Sequence, residues 1–215
     1  MKMLFVLGAI SIILVSSCKK DEEISETPTI NTVDYSHLTV GNYWVYENYI
    51  LDSLGVATLM DQVDTVTVDR DTIINGQTYF VLTGTRYPTT ESQILEILRD
   101  SGTYIVSSNG EIIFSSTNFT DTLREDTLMT GLDTIVYTTY QMEHIIGDIS
   151  VPAGLFSDVL DFKGTVNSPI YSYLLVFPKY VHYYYAPGIG KIYSKRPFLI
   201  SPMQIEQKLV EYYVQ

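Results

Sequence analysis

The sequence predicts an all-β protein: an antiparallel sandwich, or an open or half-closed barrel, of about 10–12 strands. Three observations carry this. Runs of β-branched and aromatic residues recur at short, regular spacing along residues 34–215. Tight-turn signals separate them, above all Asn75-Gly76 and Asn109-Gly110. No segment demands a helix, so neither a helical bundle nor a βαβ fold is indicated.

In chain order, Gly41 precedes the first strand, Asn42 to Ile50, in which Tyr43, Trp44, Val45, Tyr46 and Tyr49 suit a pleated surface. Asp52 to Gly55 reads as a hairpin loop. Met60 to Ile74 is a long strand in which Val66 and Val68 alternate with Thr65, Thr67 and Asp69. After Asn75-Gly76 the chain returns through Gln77 to Thr85. Glu91 to Asp100 would place Ile94, Leu95, Ile97 and Leu98 on one face of a helix, and would equally serve as a strand. The two tight turns that follow, at Gly102 and Asn109-Gly110, favour a strand in a meander. Further strands are expected at 103–107, 111–115, 134–146, 155–166, 171–177, 181–185, 191–195 and 205–214. Val151 to Gly154 and Ala186 to Gly190 are turns between them.

The amino terminus has a different texture. Lys2 starts it, Leu4 to Val15 is apolar apart from Gly8 and Ser11, and Ser16-Ser17 precede Cys18. That is the pattern of a secretory signal at residues 1–17, too short to span a bilayer. Cys18 is the only cysteine, so it forms no internal disulfide. Its position resembles a bacterial lipobox, and the resemblance implies a thioether-linked diacylglycerol and further acylation by a fatty chain such as palmitate. Two or more chains make a stable anchor where one does not. Residues 18–33 read as a flexible tether. Lys19-Lys20-Asp21-Glu22-Glu23 after the cysteine is similar to the surface-export signal of Bacteroidota-type lipoproteins, which implies the outer membrane, facing outward. A solvated charge run is the plainer alternative.

Three further stretches, Gly41-Asn42-Tyr43-Trp44-Val45-Tyr46, Val151-Pro152-Ala153-Gly154-Leu155-Phe156 and Tyr185-Ala186-Pro187-Gly188-Ile189-Gly190, extend this likeness across the mature chain. Together they resemble an uncharacterised family of Bacteroidota-type surface lipoproteins. The resemblance implies an all-β domain, in the manner of open half-barrel lipoprotein carriers, and brings no catalytic residue with it.

Charge and composition restrict the function. The net charge is −12, which argues against a nucleic-acid partner. The acid excess is uneven: residues 18–162 carry 23 acidic and 6 basic side chains, and residues 163–215 carry 2 and 6. The second segment also holds nine of the 18 tyrosines. Central strands with little room for carboxylates would explain this, and so would an aromatic, mildly basic surface that meets a ligand. The candidate ligand-binding residues are Tyr171, Tyr173, Tyr183, Tyr184 and Tyr185.

No cofactor, metal site or catalytic constellation is expected. His37, His144 and His182 lack ligand spacing, and Asp69-Arg70-Asp71 lacks the order of a calcium loop. Glu143 and His144 are neighbours that point to opposite faces of a strand. Gly188-Ile189-Gly190-Lys191 is a turn rather than a phosphate loop.

Six Asp-Ser/Thr-aliphatic tripeptides stand where chance predicts about one. They are centred on Ser53, Thr65, Thr72, Thr122, Thr127 and Thr134. They resemble the O-glycosylation acceptor of exported Bacteroidota-type proteins, and they are also good strand starts. The sequence therefore predicts a non-enzymatic, lipid-anchored binding module for an unknown ligand. The alternatives are an accessory subunit of a surface complex and, last, a hydrolase acting on surface glycans or peptides.

Overall fold

A computed structural model describes residues 33–145, 147–170 and 178–215. The predicted signal segment, Cys18 and the tether up to residue 32 lie outside the described residues, as do Tyr171 and Tyr173 with the strand expected at 171–177.

The described residues form strands and no helix. Twelve strands make one antiparallel sheet in the order β6-β5-β4-β3-β2-β1-β14-β13-β12-β11-β8-β7, which nearly closes into a barrel. In chain order these are β1 (Tyr43–Leu51), β2 (Ala57–Ile74), β3 (Gln77–Arg86), β4 (Thr89–Ser101), β5 (Tyr104–Ser107) and β6 (Ile112–Ser115), then β7 (Arg124–Thr130) and β8 (Asp133–His144). β9 (Ile149–Val151) and β10 (Gly154–Phe156) form a separate hairpin. β11 (Leu160–Asn167), β12 (Lys179–Ala186), β13 (Gly190–Pro197) and β14 (Gln204–Tyr213) complete the sheet.

Most neighbours are joined by hairpins. β1 also pairs with β14, so the first and last strands of the domain lie side by side. Asn75 and Gly76 take φ values of 51° and 75°, as the predicted two-residue hairpin requires. Glu91 to Asp100 is a strand within β4. Leu155 to Val166 is not one strand. It breaks at Asp158, whose φ of 53° no extended strand allows, and divides between β10 and β11. β7, which the sequence did not separate from β8, forms a hairpin with it through Gly131-Leu132.

Curvature has a local cause. Register shifts interrupt the pairing of β1 with β14 and with β2, of β2 with β3 and of β12 with β13. Each such bulge sharpens the twist and bends the sheet. The two free edges, β6 and β7, are consecutive in sequence, and residues 116–123 cross between them. This crossing lies along β8: Leu123 N donates to Tyr140 O at 2.8 Å, Gln141 Nε2 donates to Phe119 O at 2.8 Å, and the Phe119 ring stacks on His144 at 3.9 Å.

Alternation sorts the side chains. On β1, Trp44, Tyr46 and Asn48 are buried while Tyr43, Val45 and Glu47 face outward. The core inside the curve contains Trp44, Val68, Leu82, Leu98, Ile105, Phe114, Met142, Phe162, Ile192 and Leu209. Burial of this order, at about 25 cal/mol per Å2 of apolar surface, is the main force holding the sheet curved. Two inward aromatics also fasten β1 to the β12–β13 turn. Trp44 Nε1 donates to Ile189 O at 2.7 Å and Tyr46 Oη to Lys191 O at 2.8 Å.

Candidate functional site: a cationic compartment inside the curve

The interior is not uniformly apolar. Two neighbouring cavities open inside the sheet and share Arg86, Glu96, Tyr185 and Lys191 in their walls. The first is lined mainly by apolar side chains, including Leu38, Trp44, Tyr46, Leu82, Leu98 and Ile105, around about 60 Å3 of space. The second holds about 80 Å3, and Arg124, Arg196 and Gln207 extend its polar wall.

Strand parity puts these charges inside. Arg86 shares the inward face of β3 with Leu82 and Gly84, and Glu96 stands directly across from Leu82 on β4. Arg86 Nη2 donates to Glu96 Oε1 at 3.1 Å. At the start of β7, Arg124 lays its guanidinium over the rings of Tyr140 (4.0 Å) and Phe162 (5.3 Å), which themselves stack at 5.0 Å. Gly164 makes that stack possible, since a Cβ there would stand 2.6 Å from the Tyr140 ring. Arg124 Nε lies 3.2 Å from Asp126 Oδ1, but the angle leaves it buried without a hydrogen-bond partner.

Lys191 sits at the junction of the two cavities. Its ammonium faces the rings of Tyr46 at 5.5 Å and Tyr183 at 6.0 Å. Burial pulls its pKa down to about 8; Glu96 opposes the shift, and the positive charges of Arg86 and Arg196 add to it. Burial also raises the phenol pKa values of Tyr183 and Tyr185, so both rings stay neutral at physiological pH. Among the described lining residues of the second cavity stand four cations and one carboxylate, Glu96. Asp64 lies behind Gln207, and its oxygens are taken by neutral donors: Asn48 Nδ2, Gln62 Nε2, Tyr87 N and Gln207 Nε2.

The predicted tyrosines therefore separate. Tyr183 and Tyr185 line the cavity, whereas Tyr184 faces the opposite side of β12. There its ring stacks between His182 (5.5 Å) and Tyr193 (5.0 Å). His182 Nδ1 is 2.6 Å from Asp161 Oδ2, and Asp161 is 1% exposed. Burial raises the Asp161 carboxyl pKa, against the pull of His182.

The sequence reading missed Arg86, Glu96, Arg124, Lys191 and Arg196. The available signal was charge at inward parity, as in Leu82-x-Gly84-x-Arg86 and Glu96-x-Leu98; Lys191 gave no such signal, since it alternates with buried Ile192 and comes inside at the register shift between β12 and β13.

Among the candidate glycan acceptors, Ser53 and Thr122 lie in exposed connections and Thr127 is exposed on β7. Thr65, Thr72 and Thr134 are half-buried on strands. Two of the neighbouring aspartates have structural roles: Asp52 Oδ1 caps its hairpin by accepting from Leu54 N and Val56 N, and Asp64 is the buried carboxylate behind Gln207.

No group of three or more His, Cys, Asp or Glu suited to a metal occurs among the described residues. A separate cleft brings Asp34 and Asp100 to one wall, but Asp34 Oδ1 accepts from Ser36 N, Ser36 Oγ and His37 N and so holds its own loop.

No family model matches the chain, and no curated protein matches it. Two solved structures are similar. One is a protein of Bacteroides fragilis NCTC 9343 described as exported and given a YmcC-like fold. It shares 14% identity at a TM-score of 0.51, covering 85% of this chain and 100% of the other. The second is a Parabacteroides distasonis ATCC 8503 protein described as a lipoprotein, with 15% identity, a TM-score of 0.45 and the same two coverages. The first likeness bears on the fold alone: this is an all-β chain similar to the YmcC-like class.

Proposed function

We propose that the chain is a non-enzymatic lipoprotein, anchored through Cys18 to the outer membrane and facing the medium, that takes a ligand into its half-closed barrel. The observation that carries the binding role is the interior itself. An apolar compartment and a cationic compartment adjoin inside a curved sheet, where a protein built only for stability would pack apolar side chains. The anchor rests on the lipobox-like sequence, and the outward orientation on Lys19 to Glu23. Sugars on Ser53, Thr122 or Thr127 would suit that location.

A second reading, an accessory subunit of a surface complex, is favoured by one feature. β7 is a sheet edge that leaves Leu128, Met129 and, at its turn, Leu132 exposed, and such an edge can pair with a strand of another chain.

Mass spectrometry of the lipidated protein purified from its host membrane tests the proposal. The denatured mass reports the lipid, and a mass of peptide plus lipid alone excludes glycans. Under native conditions a non-covalent adduct of defined mass is expected. Leu82→Trp, which fills the apolar compartment, should lose the adduct, and Tyr184→Ala on the outer face should keep it. Equal retention by both variants, or no adduct in the wild type, counts against interior binding.

A further inference from the structure

We infer that the second cavity is an oxyanion site and that its ligand is a phosphate monoester carrying a short apolar group. This rests on the reading of the interior as the ligand site and names the chemistry that the interior would recognise.

Charge comes first. Arg86, Arg124, Lys191 and Arg196 converge on one space, and the lining carboxylate, Glu96, is bonded to Arg86. Lys191 and Arg196 make no ion pair among the described residues. Among the described residues the one ion pair of Arg124 is with Asp126, which is not in the lining and whose side chain is 46% exposed. Asp64, the other acid behind this wall, takes its hydrogen bonds from neutral donors and pairs with none of the four cations, although its charge still acts on Lys191. Carboxylates are not scarce in a chain with 25 acidic and 13 basic residues, yet among the described lining residues one carboxylate meets four cations. Gathering like charges in one half-buried space costs stability unless an anion compensates them.

Geometry then narrows the anion. Three guanidinium groups present planar forks that match tetrahedral or planar oxyanions in bidentate fashion, and Lys191 adds a point charge. Glu96 pairs with Arg86, and Asp126 and Asp64 offset part of the rest from outside the lining, which leaves Lys191 and Arg196 without an ion pair among the described residues. A phosphate monoester, at about −1.5 to −2 near neutral pH, offsets these better than a carboxylate.

Space sets the remainder of the ligand. The cationic cavity, at about 80 Å3, accommodates a compact phosphoryl group in place of several waters. The apolar cavity reached past Lys191 and Tyr185, at about 60 Å3, takes a short alkyl or aryl substituent. Trp44, the only tryptophan, lines that compartment and reports its occupancy.

The test uses the full lipidated protein in phosphatidylcholine nanodiscs, with empty nanodiscs as reference. Trp44 emission and calorimetry follow hexyl phosphate, hexanoate, hexanol and inorganic phosphate. Hexyl phosphate should bind roughly 10-fold or more tighter than each of the others, because only it satisfies both compartments. The double variant Arg124→Met/Arg196→Met, at two residues that line the cationic cavity alone, should lose about 30-fold in hexyl phosphate affinity while keeping its hexanol affinity, which also shows that it is folded. The outer-face double variant Lys195→Met/Lys208→Met should bind as the wild type does.

Dihexanoyl phosphatidic acid separates two sources of the same chemistry. Tighter binding than hexyl phosphate points to a membrane lipid headgroup, and weaker binding to a soluble ester. Hexanoate equal to hexyl phosphate overturns the phosphate assignment, and inorganic phosphate equal to it overturns the apolar part. Hexanol equal to hexyl phosphate overturns the anion site while leaving interior binding intact. No response to any probe overturns both.

Discussion

Strands β12, β13 and β14 carry charge on both faces, and the two faces handle it in opposite ways. On the outer face the charges are paired. Lys208 reaches Glu206 at 3.0 Å and Lys195 reaches it at 3.8 Å, His182 holds Asp161 at 2.6 Å, and nearby on β11 Lys163 meets Glu143 at 3.0 Å. Tyr180, His182, Tyr184 and Tyr193 form an aromatic row alongside them. On the inner face, Lys191 and Arg196 join Arg86 and Arg124 around one carboxylate. The outer arrangement completes itself. The inner one leaves Lys191 and Arg196 without an ion pair among the described residues, and the proposed anion would complete it. A satisfied cluster rigidifies a surface, whereas an unsatisfied one costs stability.

The contrast can be broken most severely at Gly164. Valine there would drive its side chain into the Tyr140 ring, which carries Arg124 into the cavity. Overpacking at such a site costs about 3 kcal/mol, read as a lower denaturant midpoint. A variant as stable as the wild type would mean that the Tyr140–Phe162 stack does not constrain the inner face.

Lys191→Met should do the reverse and stabilise the ligand-free protein by about 1 kcal/mol at pH 7, because it removes a half-buried charge that Glu96 offsets only in part. The sign with pH follows from the direction of the shift. The folded pKa, about 8, lies below the unfolded value near 10.5. The penalty is therefore complete below pH 8 and disappears as pH rises to 10.5, so the advantage of the variant should shrink across that window. Thermal unfolding from pH 7 to pH 10.5 measures it, and an advantage independent of pH would contradict a buried charged lysine.

The smallest effect is expected on the outer face. Lys195→Met removes a long, partly screened pair whose carboxylate keeps Lys208, and should cost about 0.5 kcal/mol or less. A loss comparable to that of Gly164→Val would erase the distinction between the faces.

Much of the architecture was legible in local chemistry. Asn75-Gly76 specifies its turn because both positions tolerate positive φ, and Tyr43 to Ile50 reads as a strand from alternation and β-branched or aromatic composition. Glu91 to Asp100 was ambiguous because a short apolar run serves either period, and pairing with β3 and β5 decided it. The break at Asp158 left no clear local signal, since the residues on either side suit strands.

The candidate site was legible only in part. The basic, tyrosine-rich carboxyl-terminal segment pointed to the strands that carry Tyr183, Tyr185, Lys191 and Arg196. It could not separate Tyr184, which parity sends to the other face. Nor could it bring in Arg86, Glu96 and Arg124, which come from strands distant in sequence. By itself the sequence determined most of the described strands, most of the turns and the acidic character of the chain, because these depend on neighbouring residues. Only the tertiary structure decided that four cations meet around one carboxylate, because that depends on how a twelve-stranded sheet curls and which parity each strand presents to the inside.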